Sequence, residues 1–515
     1  MCYLPQPVLV LCIVLTACSA ADSTALPPSR SSVVTAPDTV SYDGVPIGRI
    51  WCEGNTRTHD HVIIRELLVR PGDPFDLELI QESERNLRDF SYIGSAEIIP
   101  HYDTTRNVVD LEVRIHDRFP WVVFPSPSFG GGRFDLTFIV ANYNFLGRGQ
   151  AAGIQGQISS DEADTYIVGF EERRLAGSRW GGFALGGRQG ERGEQLQAVI
   201  KRPLYSLATR WAYEFAVFDW EVERSFYHEG VKISQYYNRL LGGSASATRS
   251  FRSDDRRLEI ALSYRYFDER NEQDEGWFGI IADDKQRGTV NLRLSAERFS
   301  YVEDTYLFQM GPVEDVKLGP NGSVRFGAVL KALGSDRNYP EFGLGCGWFG
   351  GTPQRGYAHF SLGSDARIED GDITNHTGVA LAGLFCPVGE RNLLSWRVEG
   401  RFLNRMEDPT QLLLGSGRGL RGFEAQAFDG ARLVRTSVEW RHTVWVTNKL
   451  ALAYVIFTDA GSIWDRGESI DDVPFLVGTG TGLRLSIPGL IGGPILRLDF
   501  AYGIQDDYLD VSVGL

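Results

Sequence analysis

The 515-residue chain has only 3 methionines and 6 cysteines, and its 52 Lys and Arg are outnumbered by 67 Asp and Glu. Each shortage excludes something. With a net charge of −15 and no basic block, the chain is not a nucleic-acid binder. No CxxC pair and no Cys/His cluster occurs, so a metal site has no ligand set to rest on. Neither a G-x-S-x-G elbow nor an H-E-x-x-H is present. The run GTGTG (478–482) leads into the alternating LRLSI rather than into a helix, so it lacks the helix N-terminus that would hold an anion. His59, His61 and His101 are too scattered to form a site. These readings point to a protein that is not an enzyme and carries no cofactor. Past residue 20 no unbroken apolar run reaches about 18 residues, which excludes a membrane-spanning helix. A membrane barrel is not excluded, because its strands of about 10 residues are apolar on one side only.

What is present in quantity is glycine (58) and aromatic residues (11 Trp, 20 Tyr, 29 Phe), a mix suited to many strands and turns. The start differs. Val8 to Ala17 is a short apolar run, and residues 1–20 read as a secretory signal. Two endings compete: Leu15-Thr16-Ala17-Cys18 as a lipobox, which makes Cys18 a candidate lipidation residue, or cleavage after Ala20. Residues 21–44, rich in Ser, Thr, Pro and Ala, read as a disordered tether. Cys346 and Cys386 either pair in an oxidising compartment or remain two small apolar side chains.

Residues 45–117 read as one compact unit. Ile47 to Cys52 is a strand ended by Gly54-Asn55. A helix starting at Thr58 puts Ile63 and Leu67 on one face. Pro71-Gly72 stops the chain, and Asp76 caps a second helix, with Phe75 stapled to Ile80. Two strands follow, the second with Val109, Leu111, Val113 and Ile115 alternating with charged residues. This order, β-α-α-β-β, and the stretch IWCEGNTRTHDHVIIRELLVRPGDPFD resemble a POTRA domain, the periplasmic module of the BamA/TamA superfamily.

Residues 118–515 alternate apolar and polar with period two. Leu258, Ile260, Leu262, Tyr264 and Tyr266 form one such set, and Leu496, Leu498, Phe500, Tyr502 and Ile504 another. With a secretion signal ahead and charges on the polar face, the fold class expected is mainly β: a transmembrane antiparallel β-barrel. The pattern gives between about 16 and 20 strands from Arg133 onward, nearest 19, and the family resemblance picks about 16. Early segments are read as loop hairpins outside the membrane. The final YLDVSVGL resembles a barrel's C-terminal assembly signal, though that signal usually ends in Phe or Trp rather than Leu515.

Within the barrel, the stretch 405–431 is a glycine-rich loop carrying Arg418 and Arg421. After it come five strands, near 432–445, 449–463, 475–487, 493–504 and 508–515. A charge on the lipid face at mid-bilayer costs several kcal/mol, so Glu439, and by parity Phe457 and Asp459, point into the lumen. An arginine can fork onto one carboxylate or bridge two. Arg421 is therefore expected on Glu439 and Asp459. GLRGF (419–423) resembles the superfamily's lid-loop motif, assigning Arg421, Gly422 and Phe423 to it. FTDAG (457–461) resembles its strand motif, with Phe457 and Gly461, and FIVANYNFLGRG resembles its first barrel strand. The resemblance implies an outer-membrane protein with its POTRA domain in the periplasm. Its partners would be outer-membrane lipid, unfolded polypeptide clients, and periplasmic lipoproteins or chaperones. It would insert other barrels or move polypeptides across the membrane. A dedicated two-partner secretion channel, and a structural or anchoring barrel with no client, stay open.

Overall fold

The computed structural model describes residues 42–514 except 207, 254, 306, 309, 311–312, 448–449 and 487–494. The expected signal, Cys18 and nearly all of the tether lie outside the described residues. Residues from Ile47 to Asp117 build a three-stranded sheet. Its centre is Val108–Asp117, paired in parallel with Ile47–Glu53 and antiparallel with Ile93–Asp103. The central position follows from the sequence: Val109, Leu111, Val113 and Ile115 are all buried against the helices. The helix Leu77–Arg88 is capped by Asp76, whose side chain accepts the Glu78 and Leu79 N–H groups. The first helix is shorter than expected, Asp60–Ile64. Thr58 does not open it. Its hydroxyl donates to Asp117 at 2.6 Å, and the other Asp117 oxygen accepts the N–H groups of Thr56 and Arg57 at 2.7 and 2.6 Å. Cys52, Cys346 and Cys386 are free thiols. Burial, reinforced by Asp60, pushes the Cys52 thiol up to about 12, which disfavours the thiolate.

The rest of the described chain closes into an antiparallel barrel of 20 strands, which corrects the expected 16. Lys285–Arg298 and Ser300–Thr305 count as one strand interrupted at Phe299, since both pair with Val313–Val329. Without Trp121–Gly130 the wall has 19 strands from Arg133 onward, the number nearest to what the alternation gave; the family resemblance lowered it to 16 by turning early wall strands into hairpins. Trp121–Gly130, Arg133–Phe145, Gln150–Ser159, Thr165–Glu172, Gly181–Gln189 and Gly193–Arg202 are wall strands, not protruding hairpins. At the end nearest the small domain their inner face turns apolar, although Gln155, Thr165, Glu171 and Gln195 are buried on it as well. Ile139, Ala141, Ile167, Phe183 and Leu185 are buried in one cluster with the core of the small domain, so the usual contrast between polar inside and apolar outside fades. FIVANYNFLGRG is likewise not the first barrel strand. It is the second, with the turn after it, and the first is Trp121–Gly130. Pro125 and Pro127 hid that strand, because proline removes a ladder donor and survives only where no donor is needed.

The small domain seats on the turns at one mouth of the barrel. Glu66 is held there by Arg174, whose Nε donates at 2.8 and 3.0 Å, and the Asn144 side chain donates to Thr58 at 2.8 Å. The His59 N–H donates to the Gly147 carbonyl at 3.0 Å. Elsewhere the wall behaves as the alternation implies, with Leu262, Leu344, Phe360, Leu362 and Ile456 exposed on the outer face.

Candidate functional site: the lid loop and its lumen acids

The loop between the strands Asn392–Asn404 and Arg432–Val446 folds into the opposite mouth. Two short strands within it, Leu412–Leu414 and Phe428–Gly430, pair with each other and present the tip, residues 415–427, to the inner wall. An apolar cluster pins the tip: Leu414, Leu420 and Phe423 are fully buried against Leu433, Ile463 and Leu476.

Arg421 emerges from this anchor into a group of carboxylates. Its Nε and Nη2 donate to the two oxygens of Asp459 at 2.6 and 2.9 Å, the two-pronged geometry that a guanidinium matches best. Nη1 donates to Asp499 at 3.2 Å, and Glu439 stands 3.6 Å away as an ion pair. The guanidinium carbon lies 3.3 Å from the centre of the Phe457 ring, a cation–π contact on its remaining face. Three acids need more than one cation. Arg484 donates to Asp499 at 2.6 Å and to Glu439 at 3.1 Å, and Arg441 donates to Glu439 at 3.3 Å. Three cations therefore meet three anions, and Ser437 donates to Asp459 at 2.7 Å. Burying these charges is tolerable because each is paired and hydrogen-bonded.

Glycines bring the loop close enough. Gly422 has φ +90°, a conformation other residues rarely adopt. A Cβ on Gly478 would lie 1.9 Å from the Arg421 carbonyl oxygen, and one on Gly503 would lie 2.0 Å from that of Gly422. Gly461 serves another neighbour. A Cβ there would press on Arg435 at 3.1 Å, and Arg435 reaches Glu399 at 2.7 Å and the Arg418 carbonyl. The loop is fastened elsewhere too. Glu407 pairs with Arg337 at 2.9 Å, and the Gln411 side chain accepts the Tyr227 N–H at 2.8 Å. Asp429 accepts the Glu229 N–H at 3.1 Å.

The structure thus brings Arg421, Phe457 and Asp459 into direct contact and sets Glu439 one step back, closer to Arg484. Sequence reasoning missed Asp499, Arg484, Gly478 and Gly503. The signal for Asp499 was available, since it lies on the polar side of the alternating segment 496–504. Among the described residues no group of three or more His, Cys, Asp or Glu could hold a metal.

A family model described as the Omp85 superfamily domain matches residues 144–510. The chain belongs to the Omp85 superfamily. A second model, POTRA, described as a surface antigen variable number repeat, matches residues 45–118. As an Omp85 protein it lies in the outer membrane with the POTRA domain on the periplasmic side, so the lid loop closes the outer mouth. A curated relative, outer membrane protein assembly factor BamA of Nitratidesulfovibrio vulgaris, is 25% identical over 134 residues, covering 25% of this chain and 17% of that protein. The curated relatives are thus matched over about a sixth of their length. Among solved structures, BamA from Haemophilus ducreyi lacking POTRA domains 1–3 aligns over 91% of this chain and 83% of that one, with TM-score 0.44 and 14% identity. CdiB from Escherichia coli aligns over 92% and 76%, with TM-score 0.48 and 12% identity.

Proposed function

We propose that this Omp85 protein assembles other β-barrels into the outer membrane, offering the edges at its seam as a template for incoming strands. One observation carries the reading. Neighbouring wall strands are joined by seven or more registered residue pairs, whereas the first and last, Trp121–Gly130 and Tyr508–Gly514, share among the described residues a single pair, Val513 with Phe129. An edge with unpaired N–H and C=O groups is a ready place for strand addition. The POTRA sheet adds an entry point: among the described residues no strand pairs with the outer edge of Ile47–Glu53 beyond its first residues.

The test is a lock. Phe129→Cys with Val513→Cys, in a chain whose other described cysteines are serine, places two thiols across the seam at a separation a disulfide spans. Client barrels should disappear from the outer membrane when the lock forms and return when a reductant opens it. Normal client assembly by the locked barrel would overturn the proposal. A dedicated export channel is the second reading, favoured by a loop that lies across a wide lumen and would have to move for passage. Deleting residues 415–430 should then raise ion conductance sharply while leaving client barrels untouched.

A further inference from the structure

The seam is closed at its outer end by something other than a strand ladder. Trp121–Gly130 is fully registered with Arg133–Phe145, from Trp121 opposite Asn142 to Gly130 opposite Arg133. In an antiparallel ladder alternate residues direct N–H to opposite sides. Pro125 and Pro127 have no N–H, and they leave the ladder with Arg133–Phe145 intact, so the donors they lack are those facing the seam. Phe129, of the same parity, holds the single pair with Val513.

What spans the gap is the lid. Asp510 on the last strand is 2% exposed. One of its oxygens accepts the N–H of Gly131, in the turn that ends the first strand, at 2.7 Å. The other accepts the hydroxyl of Ser416, in the lid, at 2.7 Å. The lid closes the triangle itself: the Ala425 N–H donates to the Gly131 carbonyl at 3.2 Å, and Ser416 and Ala425 bridge each other. The packing leaves no slack. A Cβ on Gly131 would lie 2.1 Å from the Ala425 nitrogen, and one on Gly130 would lie 2.8 Å from the Ser416 hydroxyl.

We infer that Asp510 is a clasp. It ties first strand, last strand and lid loop at one point, so that the lid cannot leave the lumen without releasing the seam, and the seam cannot part without loosening the lid. Strand ladders hold the rest of the wall, whereas a carboxylate with two hydrogen bonds holds this join. The clasp rests on geometry alone, and its use in admitting a client strand rests on the assembly reading above.

Hydrogen exchange in the folded barrel, with no client present, tests it. In Asp510→Ala, exchange should quicken together in residues 121–132 and in the lid, residues 411–427, by about tenfold, the factor that one charge-assisted hydrogen bond carries. Residues 231–253, far along the wall, should keep their protection and so report an intact fold. Should Asp510→Ala fail to fold, Ser416→Ala removes only one hydroxyl and should quicken both segments about threefold. A lid that loosens while residues 121–132 stay protected overturns the clasp, as does a variant in which neither segment changes. If exchange quickens as expected but the locked barrel of the previous section still assembles clients, the clasp stands and the assembly reading falls.

Discussion

Two joins in the same wall are held in different ways. The strands Trp211–His228 and Val231–Ser253 run side by side with the 18 residues of the first all paired, through one bulge between Phe226 and Tyr227. Their hold is backbone, repeated at every step, and no single side chain matters much. Among the described residues the first and last strands share one pair, and there the hold is tertiary: the lid loop and the buried carboxylate of Asp510. A barrel has no free edge only if every join is sealed. This one is sealed by ladders everywhere except at the place where a loop does the work. Stability in such a molecule is uneven, and the weak join is where motion is cheapest.

The comparison breaks most visibly at Arg421. Arg421→Ala strips Asp459, 1% exposed, of its arginine and leaves Asp499, 0% exposed, to Arg484. Removing one member of a buried pair costs about 3–5 kcal/mol. The loop should become protease-sensitive between residues 415 and 430, and the heat-induced gel shift of the barrel should move to lower temperature. A loop that stays protected would mean that the apolar anchor, not the ion group, holds it. Gly478→Ala comes next. The added methyl, aimed at the Arg421 carbonyl, must push the loop backbone off the wall at about 1–3 kcal/mol, the range for overpacking. It should raise lid proteolysis while sparing every ion pair. An unchanged lid would show that the backbone approach is looser than the glycine implies.

How much of this could be read from the chain depends on which physical signal each part sends. The long wall strands announce themselves by alternation, and the same parity sets Glu439 and Asp459 on the charged side of their strands. Parity says which face a residue takes but not its height along the barrel. Height depends on register with the neighbouring strand, which a single sequence does not carry. That is why Asp499, on the polar side of its strand, was not connected to Arg421, and why Glu439 was expected on Arg421 with Arg484, which lies closer to it, left out. The early wall strands, counted by their alternation, were misplaced as hairpins for a different reason. Their inner face packs with the POTRA core, so apolar residues such as Phe183 and Leu185 lie on the side where polar ones were expected. Family analogy then supplied a strand number that the wall exceeds. The first strand stayed hidden because Pro125 and Pro127, ordinarily evidence against a strand, are tolerated where no ladder needs their donors.

The smallest effect is expected on the well-laddered join. Arg239 and Asp219 pair there across neighbouring strands at 2.7 Å, in the same two-pronged way as Arg421 and Asp459. Their side chains, however, are 53% and 31% exposed. Water screens such a pair, and the backbone around it is registered on both sides, so Asp219→Ala should cost no more than about 1 kcal/mol. The gel-shift temperature should move far less than in Arg421→Ala, and exchange in residues 231–253 should be unaltered. Arg421→Ala removes the cation of a buried group that fastens the lid and Asp219→Ala the acid of an exposed pair, so the ratio of their effects measures how much more the lid depends on side-chain charge than the laddered join does. Comparable losses would mean that the ladder contributes less to the long join than its register implies, and that side-chain ion pairs hold the whole wall.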